Sequence, residues 1–478
     1  MKRKIFYSWQ SNHQKTRRHI ERALLDVIKE ISDTPELEES PRVELDKDTK
    51  GVVGAVNIGA IIKEKINNCG IFLADVSIID RGESGKGIVN QNVMFELGYA
   101  IGKHTEEKVI QVANTDLGRI EELPFDIAHQ RTIGFSITED NKAKSLKRSL
   151  KEAIVAHLDS LANEEKINKT QSYKDSLTSA IENGKPAKRA ARDYFANTYE
   201  QYLALSPGVF EEGATEEEYA ANVYNAYCAT KDITIELHEI LEKAAEYERT
   251  DILEQAYESI QIILDHYAKI SKNTSMIYEI SIEYYSLIVN EITSLIVGSI
   301  VDSKSWNVFQ KIAEKELIKP DIFPISKLTL ENISPLMYPQ NTLDYYEKIK
   351  DKNFILPTTQ LLQERFANNL SLLQTYLDGN IIQYLIFGKF PWLLGVLIGP
   401  SWERYIPEFI EKLKDNDFIC MICKVIDSDY SETKDRIWHN ISRNYDNLFM
   451  SSNQNLLHVF AHAGITTKED LGENNRTK

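Results

Sequence analysis

The first 165 residues alternate short apolar runs with longer segments in which apolar residues recur at helical spacing. This alternation constrains the fold more than any other feature of the chain. The apolar runs lie at residues 4–7, 43–45, 71–74, 108–113 and 132–135. Strands joined through helices pair in parallel, with right-handed crossovers that cover both faces of the sheet. The pattern therefore predicts an α/β domain with a five-stranded parallel sheet, for which the flavodoxin-like strand order 2-1-3-4-5 is the commonest.

The rest of the chain has a different pattern, in which helical spacing continues almost throughout. Residues 166–190 are polar and are predicted to be a linker, and residues 191–478 are predicted to form a large all-α region. Five prolines between positions 320 and 357 indicate a further boundary near 320–357. No catalytic pattern is visible in this region.

Charge and cysteine content argue against several classes of protein. The chain carries 56 basic and 72 acidic residues, a net charge of −16, which argues against nucleic acid as a partner because such binding needs a basic surface. Four cysteines in 478 residues fit a reducing, cytoplasmic location without disulfides. The most apolar run, 381–399, is interrupted by Lys389 and Pro391, so no membrane span is expected. Cys420 and Cys423 lack the two further ligands of a zinc site, and no metal site is predicted.

Polar side chains stand where the predicted strands end. They are Ser8, Trp9 and Gln10 after strand one, Asp46 and Asp48 after strand two, Asp75 after strand three, and Asn92 and Glu96 on the next helix. Ligands of such sheets bind at the carboxyl edge where the strand order reverses, so we expect these residues to converge there. Structural roles stay open, because serine and aspartate hold turns, Asp75 can cap the next segment and Trp9 can pack in the core.

Glu96 lies in a mostly apolar helical segment, residues 90–100. An ionised carboxylate in such surroundings loses hydration and needs a partner, a proton or a ligand. Asn92 precedes it by four residues, so the two side chains share one helix face, and Asn90 is placed to cap the helix. A structural hydrogen-bond network would also explain a buried glutamate, so the case for a functional role depends on the convergence at the sheet edge.

Five segments, in this order along the chain, resemble bacterial TIR-like domains. They are residues 5–11, 45–51, 72–76, 90–100 and 123–126. The resemblance covers residues 1–165 and implies a flavodoxin-like fold. It also implies cleavage of NAD+ between nicotinamide and ribose, with Glu96 as the catalytic residue and NAD+ as substrate rather than cofactor. One departure is Asn92, which stands where several TIR enzymes have an aromatic residue.

The resemblance also implies a biological setting and a set of substrate contacts. Many TIR-like enzymes serve in bacterial antiphage defence and act only when assembled, so we expect a homo-oligomer with a phage-derived or nucleotide trigger. By analogy alone, an all-α region attached to a TIR-like enzyme is expected to be a regulatory, sensor or oligomerisation module. One carboxylate suffices for the chemistry, because nicotinamide leaves readily and only the oxocarbenium-like ribosyl centre needs stabilisation. The glycine-containing segment 79–88 is predicted to be a lid. The predicted substrate contacts are Ser8, Trp9, Gln10, Asp46, Asp48, Asp75 and Asn92.

Two other interpretations stay open. A non-catalytic TIR-like module would bind a nucleotide or act as a protein scaffold. A nucleoside deoxyribosyltransferase-like N-glycosidase would apply the same kind of carboxylate chemistry to another substrate. Release of nicotinamide from NAD+, release of a free base from nucleosides, or neither, separates the three.

Overall fold

The computed structural model describes most of the chain and divides it into two compact units, Met1–Lys169 and Thr170–Lys478. The described residues are 4–32, 44–46, 58–83, 85–104, 108–208, 210, 214–271, 279–319, 327–333, 339–354, 357–388, 408–442, 460–461 and 464–473.

Unit 1 contains strands and helices in alternation. Its strands are β1 (Lys4–Ser8), β2 (Glu44–Asp46), β3 (Ile71–Asp75), β4 (Ile78–Arg81), β5 (Gly87–Val89), β6 (Val109–Asn114) and β7 (Thr132–Phe135). Its helices are α1 (Gln14–Ser32), α2 (Ile58–Asn68), α3 (Gln91–His104), α4 (Phe125–Ala128) and α5 (Asp140–Glu182).

The main sheet has the order β2-β1-β3-β6-β7. All its described pairings are parallel, and the strand β2 contributes only a three-residue pairing with β1. Ser8 at the end of β1 lies beside Ala74 in β3. The prediction of an α/β domain with a parallel sheet, followed by an all-α region, is confirmed.

Two apolar clusters cover the two faces of this sheet. Helices α1 and α5 pack on the face that carries Ile5 and Tyr7, and α2 and α3 pack on the face that carries Phe6 and Ala74. Successive residues of a strand point to opposite faces. The alternation along β1 therefore decides which of its side chains can approach α3.

The segment 79–88 differs from the predicted lid loop. It forms most of an antiparallel hairpin of β4 and β5, with Gly85 in the left-handed region of its turn (φ +76°). Arg81 Nη2 lies 2.6 Å from Glu122 Oε2, which fastens the hairpin to the following part of the unit. Gly85 serves the turn of this hairpin, whereas in the sequence the glycines of the segment resemble those of a loop.

The end of unit 1 also differs in detail from the prediction. Helix α5 continues to Glu182, so the stretch 166–190 predicted as a linker is mostly helical. The division between the units falls after Lys169, a few residues beyond the predicted domain end at 165. Polar composition alone does not end a helix when each residue has adequate helix propensity.

Unit 2 is built from helices. They are α6 (Lys188–Ala204), α7 (Glu216–Ala229), α8 (Lys231–Glu246), α9 (Thr250–Ser259), α10 (Gln261–Ser271), α11 (Glu283–Asp302), α12 (Trp306–Glu314), α13 (Leu330–Ile333), α14 (Gln340–Lys350), α15 (Pro357–Phe366), α16 (Leu370–Phe387), α17 (Asn416–Val425) and α18 (Tyr430–Ser442). N-cap side chains that accept backbone hydrogen bonds start several of these helices. At α7, for example, Thr215 Oγ1 accepts from the Glu218 backbone N–H while the Glu218 side chain accepts from the Thr215 backbone, which forms a capping box.

Helices α11 and α16 form the centre of unit 2 and cross at two glycines. A Cβ on Gly379 would lie 1.8 Å from the Ser294 carbonyl oxygen, and one on Gly298 would lie 1.9 Å from the Thr375 carbonyl oxygen. Both positions therefore require glycine for the helices to approach this closely. One stretch, Ile280–Asp302, is apolar and long enough to cross a bilayer (mean hydropathy 1.4), and its most apolar part is buried within the structure. A core helix has the same environment.

The apolar run 381–399 is described only in part. Its first residues lie in α16, and Ile381 and Ile386 are buried in the core of unit 2, as predicted for a core helix. The stretch 389–407 lies outside the described residues. The aromatic residues Trp392, Trp402 and Tyr405, which the sequence places in this region, fall within that stretch.

Candidate functional site

Ser8 and Glu96 meet at the carboxyl edge of the sheet. The Ser8 hydroxyl donates a hydrogen bond of 2.6 Å to Oε2 of Glu96. Ser8 is the last residue of β1 and is 1 % exposed. It lies two residues after Phe6, on the face that α2 and α3 cover. Two residues 88 positions apart in sequence are thus held together where the strand order reverses, between β1 and β3.

The start of α3 is fixed by a second link to the loop after β1. Asn90 Oδ1 accepts hydrogen bonds from the backbone N–H groups of Asn92 (3.0 Å) and Val93 (3.4 Å), the geometry of an N-cap. The Asn90 side-chain amide also donates to Asn12 Oδ1 at 3.0 Å. Helix α3 is thus linked to β1 and the loop after it at two points, Asn90 and Glu96. These two links hold the Glu96 carboxylate in place.

The environment of Glu96 perturbs its protonation. Partial burial raises the pKa of the Glu96 carboxyl above its usual value, and the hydrogen bond from Ser8 opposes that rise. Oε1 accepts no hydrogen bond from any residue that the structure describes. The site therefore offers a partly desolvated carboxylate with one oxygen fixed by a hydroxyl and the other open to a ligand.

Gln10 and Asp75 belong to a buried network beside this pair. Asp75 Oδ1 accepts from the Ser77 hydroxyl at 2.6 Å and from the Ser77 backbone N–H at 3.1 Å. The Gln10 side-chain amide donates to the Ser77 carbonyl at 3.1 Å. Ser77 Oγ accepts from the Asn114 backbone N–H at 2.8 Å. The network ties together the ends of β1, β3 and β6. Gln10 and Asp75, both predicted as substrate contacts, therefore hold in place the strand ends beside the site.

Burial also affects Asp75, which is fully inaccessible to solvent. Burial raises the pKa of the Asp75 carboxyl, while hydrogen bonds from Ser77 oppose the rise. Its Oδ2 and the Gln10 Oε1 are both buried, and neither has a hydrogen-bond partner among the residues that the structure describes. The cost of burying a charged carboxylate is the physical cause of this rise in pKa.

The structure does not bring Trp9 to Glu96. Trp9 packs against the cluster of α1 and α5, on the opposite face from α3. The guanidinium carbon of Arg17 lies 3.2 Å from the centre of the Trp9 ring. That contact covers one face of the indole, so the stacking role predicted for Trp9 next to the carboxylate has no support in the geometry.

The other predicted contacts fall into two groups. Asn92 is exposed on α3, four residues before Glu96 and on the same face, as predicted. Asp46 ends β2, beside Phe6 of β1, and its side chain lies outside the described part of the structure. Asp48 lies outside the described residues altogether.

Sequence reasoning missed Asn12 and Arg17. Asn12 stands in a polar turn with no pattern to distinguish it, and its role depends on Asn90, 78 residues away. Arg17 could have been noticed as one of several arginines on α1, but its stacking on Trp9 needed the fold. Within the described ranges there is no cluster of His, Cys, Asp or Glu that could hold a metal ion, and Cys420 and Cys423 are free thiols.

Comparisons with family models, with curated proteins and with solved structures found no match to this chain.

Proposed function

We propose that unit 1 is a TIR-like NAD+ glycohydrolase with Glu96 as its catalytic residue. The observation that carries the proposal is the hydrogen bond between Ser8 and Glu96 at the strand-order reversal. The segments that resemble TIR-like domains contain both residues. The flavodoxin-like, five-stranded TIR arrangement is part of the same proposal, and the strand order supports it.

The chemistry follows from one carboxylate. The bond from C1′ of the ribose to the nicotinamide nitrogen breaks, and its electron pair neutralises the pyridinium. The ribosyl centre becomes oxocarbenium-like, and the Glu96 carboxylate stabilises it electrostatically. Water then adds at C1′ and loses a proton, which gives ADP-ribose. Ser8 holds Oε2 in place, so that the carboxylate needs little reorganisation as the positive charge develops.

Asn92 supplies polar contacts in place of an aromatic surface. Its side chain has two donors and one acceptor oxygen, and it is exposed beside Glu96 on α3. An amide at this position suits ribose hydroxyl groups better than the flat ring of nicotinamide. We therefore propose that Asn92 orients the sugar.

The setting of the enzyme is proposed from the resemblance. We infer a cytoplasmic effector of bacterial antiphage defence that works as a homo-oligomer. The helical unit would act as the regulatory, sensor or assembly module and respond to a phage-derived or nucleotide trigger. NAD+ is the substrate, and no further cofactor, membrane or nucleic acid takes part.

The direct test measures nicotinamide release by the purified full-length protein with NAD+, using chromatography. Glu96→Gln is compared with Glu64→Gln, which makes the same charge change at an exposed position on α2. We expect Glu96→Gln to lower turnover by at least about 100-fold, the scale of losing a transition-state electrostatic contact. Glu64→Gln should keep wild-type turnover.

Three results would contradict the proposal. Turnover that survives Glu96→Gln would remove the role of this residue. NAD+ that binds without any nicotinamide release, at high protein concentration and with nucleotides added, would favour the non-catalytic module. Release of a free base from deoxynucleosides, with NAD+ intact, would favour the deoxyribosyltransferase-like enzyme.

A further inference from the structure

A groove of about 730 Å³ lies along the outer face of α1 and starts at Trp9. It belongs to the side of the sheet that α1 and α5 cover, whereas Glu96 lies on α3 on the other side. Its volume is in the range of small-molecule sites. The groove is therefore a second candidate site within unit 1, separate from the Ser8–Glu96 pair.

The charge of this groove is opposite to that of the whole chain. Arg17, Arg18 and Arg22 line it, against the two carboxylates of Glu21 and Asp26. None of the three arginines forms an ion pair with a carboxylate that the structure describes. In a chain of net charge −16, three arginines that pair with no described carboxylate form a local positive site for an anion in this groove.

Arg17 is oriented before any ligand arrives. Its guanidinium carbon lies 3.2 Å from the centre of the Trp9 ring, a cation–π contact that holds the plane of the guanidinium against the indole. Stacking leaves the N–H groups at the edge of the guanidinium free to donate. Such a fork matches two oxygens of one phosphate group. Arg18 and Arg22 are exposed and four residues apart, so they share one helix face and can close on the same anion.

We propose that this groove binds a phosphate-bearing ligand of the size of a nucleoside di- or triphosphate. Arg17 is the phosphate contact that is held by the indole, and Arg18 and Arg22 are the exposed ones. The protein recognises the polyphosphate part of this ligand. The face of the Trp9 ring that Arg17 covers is not open for stacking on a base. Unlike the proposed NAD+ cleavage, this binding uses neither Ser8 nor Glu96.

The test is isothermal titration calorimetry on the full-length Glu96→Gln protein, with inorganic pyrophosphate, ATP and adenosine as the three probes. Pyrophosphate and ATP should bind and adenosine should not. The paired change Arg18→Ala with Arg22→Ala should weaken ATP binding by at least about tenfold, since it removes two charge-assisted contacts to the phosphates. The matched control removes two exposed cations of α2 and α3, Lys63 and Lys103, on the other side of the sheet, by Lys→Ala changes and should alter affinity by less than about twofold.

Three results would overturn the proposal. They are no binding of pyrophosphate or ATP at millimolar concentration, equal binding by the Arg18/Arg22 variant, or binding of adenosine as tight as that of ATP. Circular dichroism of each variant checks that the fold is kept. Because the assay measures binding in a variant that lacks Glu96, its failure does not depend on whether the protein cleaves NAD+.

Discussion

The buried ion pair of Arg365 and Glu291 allows a sharp prediction about unit 2. The two side chains are 3 % and 1 % exposed, and the guanidinium donates from Nε to Oε2 and from Nη2 to Oε1, both at 3.0 Å. Arg365 also donates to the Tyr227 carbonyl at 2.6 Å and to Thr230 Oγ1 at 2.7 Å. Glu291 accepts from the Tyr227 hydroxyl at 2.6 Å and from Thr234 at 2.5 Å. Every strong donor and acceptor of the pair is therefore used.

Removing one partner should cost far more than removing both. Arg365→Met or Glu291→Met leaves one uncompensated buried charge, which costs about 3–5 kcal/mol. The double change leaves no charge, and its main loss is the Tyr227 hydroxyl without an acceptor, about 1–3 kcal/mol. The sum of the single losses should thus exceed the loss in the double variant by at least about 3 kcal/mol, the sign of a coupled pair.

Urea unfolding followed by tryptophan fluorescence measures these free energies, because four of the five tryptophans lie beyond residue 300. Lys348→Met is the control, since Lys348 forms an exposed ion pair with Glu217 that water screens, and it should lose far less. Single variants that each lose less than about 1 kcal/mol, or free energies that add within about 0.5 kcal/mol, would refute the reasoning.

Three further predictions concern the site and the helix crossing. Glu96 has a raised pKa in the folded protein, so its contribution to stability is lost as the pH rises through that pKa. The Tm gain of Glu96→Gln over wild type should therefore be larger at pH 8 than at pH 4, and a constant difference would contradict this. Ser8→Ala removes the hydrogen bond that lowers the Glu96 pKa, so this pKa should rise. The acid limb of the pH–rate profile of nicotinamide release should then move to higher pH. An unchanged acid limb would mean that Ser8 does not act through the carboxylate. Gly379→Ala places a methyl carbon 1.8 Å from the Ser294 carbonyl oxygen. It should lower the free energy of unfolding, measured by urea denaturation, by about 3 kcal/mol or more. Gly98→Ala, which has open space around it, should not lower this free energy.

Periodicity predicted most of the secondary structure of unit 1. The strand at residues 132–135 and the helix that carries Glu96 lie where their patterns place them, because apolar spacing follows directly from which face of an element is buried. The predicted cap at Asn90 also forms, since an N-cap depends on neighbours within three residues. The hairpin of β4 and β5 was missed, because its two strands are short and its glycines resemble those of a loop.

The sequence by itself determined the alternation of strands and helices, the position of Glu96 on the helix after the third predicted strand, and the helical character of the second unit. Only the tertiary structure decided that Ser8 reaches Glu96 while its neighbour Trp9 stacks with Arg17 on the other face. The reason is the pleat of the strand: adjacent side chains point to opposite layers, and which layer each one meets depends on helices that lie far away in the sequence.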